Sequence, residues 1–324
     1  MSDSMSRSVN SESDCSPSRI KALEFFSGIG AFSQAVLKRK AEPALQVLKA
    51  FDQNEHANRV FSANYGHTPC SVNLDSISAA QINKGLPLPA DLWWMSPPCT
   101  PYSRRGKRKD MEDPRAVSFL HLLDLLPQFL PTFLFIENVE GLENTRMEEY
   151  HLDCLQKSRY CFEKVALCPS QFGVPMLRPR IFYMAWLQPS CIKLPPLQAV
   201  PECERKLSAY LEPAEPVVLL GQEELARYGN VLNIVDPEQP EARAICFTSG
   251  YFRCRKAAGS LLGGREPVRF FSPREILNLL GFCKNFILPA DLSLNAAYRM
   301  VGNSVDVRSI EYLLSGLMPE GAPK

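Results

Sequence analysis

The stretch Lys21-Ala22-Leu23-Glu24-Phe25-Phe26-Ser27-Gly28-Ile29-Gly30-Ala31 indicates the fold class of this chain. Its first half, Lys21 to Phe26, predicts a short buried strand, and its glycine turn opens a helix predicted over Phe32 to Lys40. Glycines let the backbone approach a ligand closely, and the free amides of a helix N-terminus favour a carboxylate or similar anion. The stretch therefore predicts a strand-turn-helix unit with a ligand beside the turn.

Further apolar strands follow, each ending near a polar residue. Gln46 to Phe51 is a predicted strand that ends at Asp52, and Asp91 to Met95 and Thr132 to Ile136 are two more. Open α/β folds bind ligands at the carboxyl ends of such strands, where an acid after the second strand can take ribose hydroxyls. The alternative for Asp52 is an ordinary helix N-cap. The alternation of predicted strands and helices indicates an α/β fold with a ligand site at one edge of the sheet.

A cysteine stands in the proline-rich octet Ser96-Pro97-Pro98-Cys99-Thr100-Pro101-Tyr102-Ser103, which follows the strand Asp91 to Met95. Prolines remove backbone donors and fix φ, so the strand must end there and present the thiol on a stiff turn. The octet alone leaves two interpretations open, a nucleophile or a reduced cysteine in a loop.

Charged side chains follow in the next two strand regions. Glu137 closes the strand Thr132 to Ile136, and partial burial would raise its pKa into the range useful for proton transfer near neutral pH. A surface acid that opens the following helix is the alternative. A predicted hairpin then carries Arg178 and Arg180 in its loop. Spaced by one residue, the two arginines point the same way and can hold a carboxylate, a phosphate or a base edge.

From residue 187 to 268 the sequence is Pro-rich and weakly periodic, which predicts a second, smaller domain. Residues 20–186 and 269–324 would form the larger one. The smaller domain interleaves aromatic and basic side chains from Cys246 to Arg253, a pattern that suits single-stranded nucleic acid, with a solvated loop as the alternative. Regular structure returns at Ser272, a predicted N-cap, and the chain closes with a predicted helix over Val307 to Leu317.

Composition limits the class of protein. Eight serines and no apolar core within residues 1–19 predict a disordered tail and no signal peptide, and no apolar run reaches the roughly 18 residues of a membrane span. Eleven cysteines without a CxxC pair predict reduced thiols in the cytoplasm or nucleus and no metal site. The net charge of +1 argues against non-specific clamping of long nucleic acid. We expect a monomer without a membrane partner.

The order of these motifs resembles the cytosine C5 methyltransferase family. Glycine turn, strand-end acid, Pro-Pro-Cys, Glu-Asn-Val, paired arginines and Gly-Asn-Ser occur in that order between residues 22 and 317. The triplet Cys246-Phe247-Thr248 with Gly250-Tyr251, and the stretch Arg269 to Phe282, are most similar to the branch that methylates cytosine 38 in a tRNA anticodon loop, typically of tRNA-Asp. The resemblance implies a Rossmann-like methyltransferase domain, a target-recognition domain at 187–268 and tRNA as the partner.

The resemblance also implies roles for single residues. Cys99 would add to C6 of cytosine, Glu137 would engage the ring edge, and Arg178 and Arg180 would hold the base and the carboxylate. S-adenosylmethionine, released as S-adenosylhomocysteine, would bind Phe26, Ser27, Gly28, Gly30, Asp52, Gln53, Asp75, Pro98, Asn303, Ser304 and Val305. We expect tRNA contacts at the basic loop Arg104, Arg105, Lys107, Arg108 and Lys109, and at Cys246, Phe247, Thr248, Tyr251 and Arg253.

Two other functions stay open. A DNA cytosine C5 methyltransferase shares every catalytic motif, although the sequence has neither an added module nor a strongly basic face. A catalytically silent nucleic-acid-binding homologue would be expected to lose Cys99, Glu137, Arg178 or Arg180, and all four are present.

Overall fold

The computed structural model describes residues 19–86, 89–103, 109–197, 206–212, 217–254, 256–264 and 267–319. The predicted disordered tail therefore lies outside the described residues except for Arg19. Four residues of the predicted basic loop, Arg104, Arg105, Lys107 and Arg108, lie outside them as well.

Short strands and helices alternate along the described chain. The strands are β1 (Ile20–Phe25), β2 (Leu45–Phe51), β3 (Leu92–Met95), β4 (Phe133–Asn138), β5 (Cys161–Leu167), β6 (Met176–Leu177), β7 (Arg180–Trp186), β8 (Cys191–Ile192), β9 (Asn233–Val235), β10 (Ala244–Ile245), β11 (Ser260–Leu262), β12 (Arg269–Phe270) and β13 (Leu317–Met318). The helices are α1 (Ala31–Lys38), α2 (Glu55–Tyr65), α3 (Ala79–Asn83), α4 (Val117–Phe129), α5 (Arg146–Lys157), α6 (Gln222–Tyr228), α7 (Pro273–Leu279), α8 (Leu294–Asn303) and α9 (Val307–Ser315).

The main sheet has the strand order β2-β1-β3-β4-β7-β5. β2, β1, β3 and β4 are parallel to their neighbours, while β7 runs antiparallel to β4 and to β5. The carboxyl ends of the four parallel strands therefore meet at one edge, and the reversed direction of β7 brings its first residue, Arg180, to that edge too. This sheet confirms the predicted α/β fold class.

The glycine turn after β1 adopts the geometry that its sequence demands. Phe26, Gly28 and Gly30 all have positive φ, and Gly30, at φ 85, is the N-cap of α1. A Cβ on Gly30 would lie 2.2 Å from a carbon of the Tyr65 ring, whose hydroxyl donates to the Gly30 carbonyl at 2.6 Å. Gly30 is thus required by the close packing of α2 against the turn.

Element boundaries differ from the prediction by one or two residues, and one difference matters. β4 continues through Glu137 and Asn138, so the acid lies inside the paired strand instead of after it. The predicted hairpin of β5 and β7 is confirmed, and so is the capping box of Ser272 and Glu275 at the start of α7.

The described part of segment 187–268 carries only short elements and shares its core with the rest of the molecule. Phe247, Tyr251 and Leu261 belong to the same buried cluster as Phe32 of α1 and Trp94 of β3. The division of the chain into two domains stays a prediction. No helix in the described ranges combines the length and the apolar character of a membrane span.

Candidate active site

A cavity of about 1370 Å³ opens at the carboxyl edge of the main sheet. The turns after β1, β2 and β3, the end of β4, the start of β7, the segment after β10 and the end of α8 all contribute to its wall. It brings together most of the predicted site residues, namely Phe26, Ser27, Gly28, Asp52, Gln53, Pro98, Cys99, Glu137, Arg178, Arg180, Cys246, Thr248, Asn303, Ser304 and Val305.

The turn that carries Cys99 is fixed from two sides. The Cys99 carbonyl accepts from the amides of Tyr102 and Ser103, at 3.0 and 2.9 Å, which closes the turn on itself. The buried side chain of Asn138 donates to the Pro97 carbonyl at 3.1 Å, which ties the turn to the end of β4. Because side chains alternate along a strand, the residue before Asn138 is directed differently, and Glu137 lines the cavity.

Glu137 pairs with the nearer of the two predicted arginines. Its carboxylate lies 3.3 Å from Nε of Arg180, and its residue is only 7% exposed. Burial raises the pKa of Glu137 above its usual range, although the charges of Arg180 and Arg178 oppose that rise. Burial likewise raises the pKa of the Cys99 thiol, again against the two arginine charges. The cavity therefore holds a protonated thiol beside a carboxyl group that retains its proton more readily than usual.

Arg178 does not share the position predicted for it. Its guanidinium, 2% exposed, donates to the carbonyls of Phe247, Gly302 and Ser304 at 2.6, 3.0 and 2.5 Å. The two arginines therefore differ in role: Arg180 holds the carboxylate of Glu137, while Arg178 ties together backbone segments that are distant in sequence. Nε of Arg178 is buried and has no hydrogen-bond partner among the described residues, so the role of Arg178 toward the base stays a prediction.

Cys246 lies between the two arginines. Its sulfur accepts from Nη1 of Arg178 at 3.1 Å and from Nη2 of Arg180 at 3.7 Å. Burial acts to raise the pKa of the Cys246 thiol, but the two arginine charges outweigh it, and the pKa lies below the usual range. Sequence analysis assigned Cys246 to nucleic acid, and the structure places its sulfur against the two arginines inside the cavity. Only the folded chain brings its sulfur to the arginines, so no local sequence signal identifies this contact.

The other end of the cavity has unsatisfied polar groups. Ser27 Oγ and Ser304 Oγ are buried and have no hydrogen-bond partner among the described residues. Asp52 accepts from the amides of Gly28 and Asn54, both at 2.8 Å, and a Cβ on Gly28 would meet open space. Buried hydroxyls without partners are rare in folded proteins, so this end fits a ligand with polar groups of its own.

A second buried acid, Glu24 of β1, also lines the cavity. Its carboxyl accepts from Ser33 Oγ at 2.5 Å, and burial raises its pKa to about 8, against the effect of the Ser33 hydrogen bond. The group is therefore mostly protonated at neutral pH. Sequence reasoning gave Glu24 no site role, although a carboxylate inside an apolar strand was the available signal. Among the described residues, no group of three or more His, Cys, Asp or Glu side chains is placed to hold a metal ion.

Several predicted contacts lie elsewhere. Phe247 and Tyr251, predicted to bind nucleic acid, are 1% and 2% exposed and pack edge to face at 5.0 Å in the core, so their rings are not available to a base. Gly30 packs under Tyr65 and does not line the cavity, and exposed Asp75 does not line it either, although its neighbour Leu74 does. Lys109 is exposed outside the cavity, and Arg253 lines a smaller cleft beside it.

The fold and the cavity are those of a methyltransferase family. The model of the C-5 cytosine-specific DNA methylase family matches residues 20–212 and 228–318, and the chain belongs to this family. The chain is 29% identical to a bovine tRNA (cytosine(38)-C(5))-methyltransferase, over 91% of this chain and 98% of that protein. It is 27% identical to a Dictyostelium discoideum DNA (cytosine-5)-methyltransferase, over 93% and 94%. The structure of the Entamoeba histolytica methyltransferase EhMeth superposes with a TM-score of 0.81 at 30% identity, covering 92% of this chain and 97% of that one.

Proposed function

We propose that this protein transfers a methyl group to C5 of cytosine 38 in the anticodon loop of a tRNA, such as tRNA-Asp. The observation that carries the proposal is the convergence of Cys99, Glu137 and Arg180 on one cavity in a chain of the cytosine C5 methylase family. The choice of tRNA is supported by the bovine relative's name and by near-complete mutual coverage. Segment 187–268 would recognise the target.

S-adenosylmethionine fits the polar end of the cavity. The unpartnered hydroxyls of Ser27 and Ser304 would face its carboxylate, and Asp52 would take its ribose hydroxyls. When bound, it supplies a methyl group on a positively charged sulfur and leaves as S-adenosylhomocysteine.

Cys99 and Glu137 would make C5 of cytosine reactive. The Cys99 thiol first gives its proton to solvent, the thiolate then forms a bond from Sγ to C6, and the electron pair of the C5–C6 double bond moves onto C5. Glu137 donates its proton to N3, so the ring stays neutral as the sulfur adds. This step requires a carboxyl group that is protonated near neutral pH, and burial raises the pKa of Glu137 in that direction.

The reaction ends by reversing the addition. Once C5 carries the methyl group, its hydrogen leaves as a proton, the C5–C6 double bond re-forms and Cys99 departs as thiolate. Glu137 recovers its proton from N3. We propose water as the acceptor of the C5 proton. Arg180 stays fixed by Glu137 and by the Pro179 carbonyl, and its guanidinium would stabilise charge on the ring oxygen.

DNA is the second candidate substrate. It is favoured by the Dictyostelium relative, whose name states a DNA activity, and by a catalytic cavity that serves either nucleic acid. An anticodon loop presents cytosine already outside a regular duplex, so base extrusion costs less than it does from DNA.

A side-by-side methylation assay separates the candidates. We expect purified protein to transfer labelled methyl groups to tRNA, with bisulfite sequencing placing the mark at cytosine 38. A comparable rate on duplex DNA would overturn the tRNA assignment.

Cys99→Ala is the control for the proposed chemistry. This variant should lose methyl transfer. Its affinity for S-adenosylmethionine, measured by calorimetry, should stay within about twofold of wild type, because the Cys99 sulfur adds no charge to the polar end of the cavity. Loss of cofactor binding would instead identify Cys99 as a structural residue.

A further inference from the structure

A smaller cleft of about 230 Å³ adjoins the candidate active site. The residues around it come from the start of α2, from the loop after β10 and from α8, and they are Asn54, His56, Arg253, Ser293, Asn295, Ala296, Arg299 and Met300. Asn54, Arg299 and Met300 line the large cavity as well, so the two concavities are continuous.

The charge of this cleft is uncompensated. Arg253 and Arg299 are both exposed, and neither has an ion pair or a side-chain hydrogen bond with any described residue. Some exposed arginines of the described chain do pair, as Arg59 does with Asp291 and Arg146 with Glu112. None of the described residues that line the cleft is acidic. Two guanidinium groups therefore face a concave surface without a counter-charge from the protein.

Both arginines stand on ordered backbone. The amide of Arg253 donates to the Gly250 carbonyl at 3.0 Å, within a turn that also lines the large cavity. Arg299 lies on α8, about one turn before Gly302 and Asn303, which line the large cavity. The backbone positions of the two arginines are thus tied to two walls of the active site.

We propose that this cleft binds a backbone phosphodiester of the RNA strand beside the target nucleotide. The guanidinium fork matches the oxygens of a phosphate, and such charge-assisted hydrogen bonds are stronger than neutral ones. When the target base enters the large cavity, its neighbouring phosphates remain at the rim, where Arg253 and Arg299 lie. The inference rests on the proposed function and names a contact that it requires.

A chemical double-mutant cycle on binding tests this contact. The ligand is an anticodon stem-loop RNA in which one loop phosphate at a time is replaced by an uncharged methylphosphonate, and affinity is read by fluorescence anisotropy. We expect the double variant Arg253→Gln/Arg299→Gln to bind the unmodified RNA about tenfold to a hundredfold more weakly than wild type. At one linkage that flanks the target nucleotide, replacing the phosphate by a methylphosphonate should weaken RNA binding by wild type by a similar factor. The same replacement should weaken RNA binding by the double variant by less than about twofold.

Arg159→Gln is the matched control. Arg159 is an exposed arginine that follows α5, outside segment 187–268, and it lines neither concavity, so the same change there should leave affinity within about twofold of wild type. Additive effects at every linkage, or an equal loss in Arg159→Gln, would overturn the proposal.

The cycle is independent of methyl transfer, so it separates the two proposals. If wild type methylates only duplex DNA, the tRNA assignment fails. The same cycle on a DNA with single neutral linkages then tests whether the cleft binds a backbone phosphate. Unchanged thermal unfolding of the double variant confirms that its fold is intact, since both side chains are exposed.

Discussion

At the scale of single residues, the cavity is lined by two thiols whose pKa values are shifted in opposite directions. Burial raises the pKa of Cys99, whereas the charges of Arg178 and Arg180 outweigh burial and lower the pKa of Cys246. The proposed nucleophile is therefore the thiol that retains its proton longer. The thiol that loses it more readily is the one held by hydrogen bonds.

This arrangement predicts a rate that depends on pH. We expect log kcat/KM for tRNA to rise with pH, because the thiolate fraction of Cys99 grows tenfold per unit below its raised pKa. Loss of the Glu137 proton should end the rise, at a pH above the usual range of a glutamate because burial raises the pKa of Glu137. Initial rates at constant ionic strength provide the measurement.

Glu137→Gln is the control for the upper limb of that profile. Glutamine keeps a hydrogen-bond donor at the ring edge but cannot titrate, so the variant should be slower and should lack the decline at high pH. A Glu137→Gln rate that does not rise with pH between about 6.5 and 8.5 would contradict the role assigned to Cys99, because Cys99 is then the titrating group of the pair.

Cys99, Glu137 and Arg180 could be placed at one sheet edge from sequence because Cys99 follows β3, Glu137 lies near the end of β4 and Arg180 opens β7. Arg178, Phe247 and Tyr251 could not be placed in the same way. Their surroundings come from contacts between distant segments, and the sequence pattern of interleaved aromatic and basic residues is the same for a binding surface and for a folded loop.

At the scale of elements, α8 and the segment after β10 touch backbone to backbone. A Cβ on Gly302 would lie 2.3 Å from the Thr248 carbonyl oxygen and 2.7 Å from the Ser249 amide nitrogen. These atoms belong to the backbone and cannot move aside alone. Gly302 therefore sets the spacing between two walls of the cavity.

We expect Gly302→Ala to lower both stability and activity. Forcing a methyl group into this contact should reduce the free energy of unfolding by about 1–3 kcal/mol and shift Thr248 out of the cavity wall. Urea unfolding and methylation rates measure the two effects. Gly229→Ala is the matched control, since its Cβ would meet nothing within 4 Å, and equal losses in both variants would contradict this reading.

Prediction of the elements succeeded where periodicity is strong and failed where elements are short. The strands and helices of the main sheet follow clear apolar patterns. β9, β10 and β11 contain only two or three residues each, so the pattern is too brief to separate them from a loop. Their pairing depends on partners elsewhere, such as Met176 for Ala244.

At the scale of the whole molecule, one buried histidine links stability to acidity. His151 of α5 is 0% exposed and stacks edge-on against Tyr183 of β7 at 4.4 Å. Burial lowers its pKa to about 4, from the model-peptide value of 6.5 that applies in the unfolded chain. The unfolded chain therefore binds a proton between these values that the folded protein does not.

Stability should consequently fall as the pH drops from about 6.5 to about 4. The contribution of His151 is fully present above the unfolded pKa, and its loss over this interval is on the order of 3 kcal/mol. His151→Phe keeps a ring at this position and should show a shallower decline in urea unfolding over the same interval. Equal pH dependence of the two proteins would contradict the assignment.

The contacts of Arg178 impose an order on the folding of the cavity. The carbonyls that Arg178 holds, at Phe247, Gly302 and Ser304, lie 69, 124 and 126 residues further along the chain. Contacts across such separations form slowly, because long stretches of chain lose their freedom before the contact compensates for that loss. During synthesis the ribosome releases Cys99 and most of the main sheet well before α8. In the nascent chain the cavity wall is therefore incomplete. It forms around Cys99 only after the segments that contain Phe247, Gly302 and Ser304 have been synthesised and bind the Arg178 guanidinium.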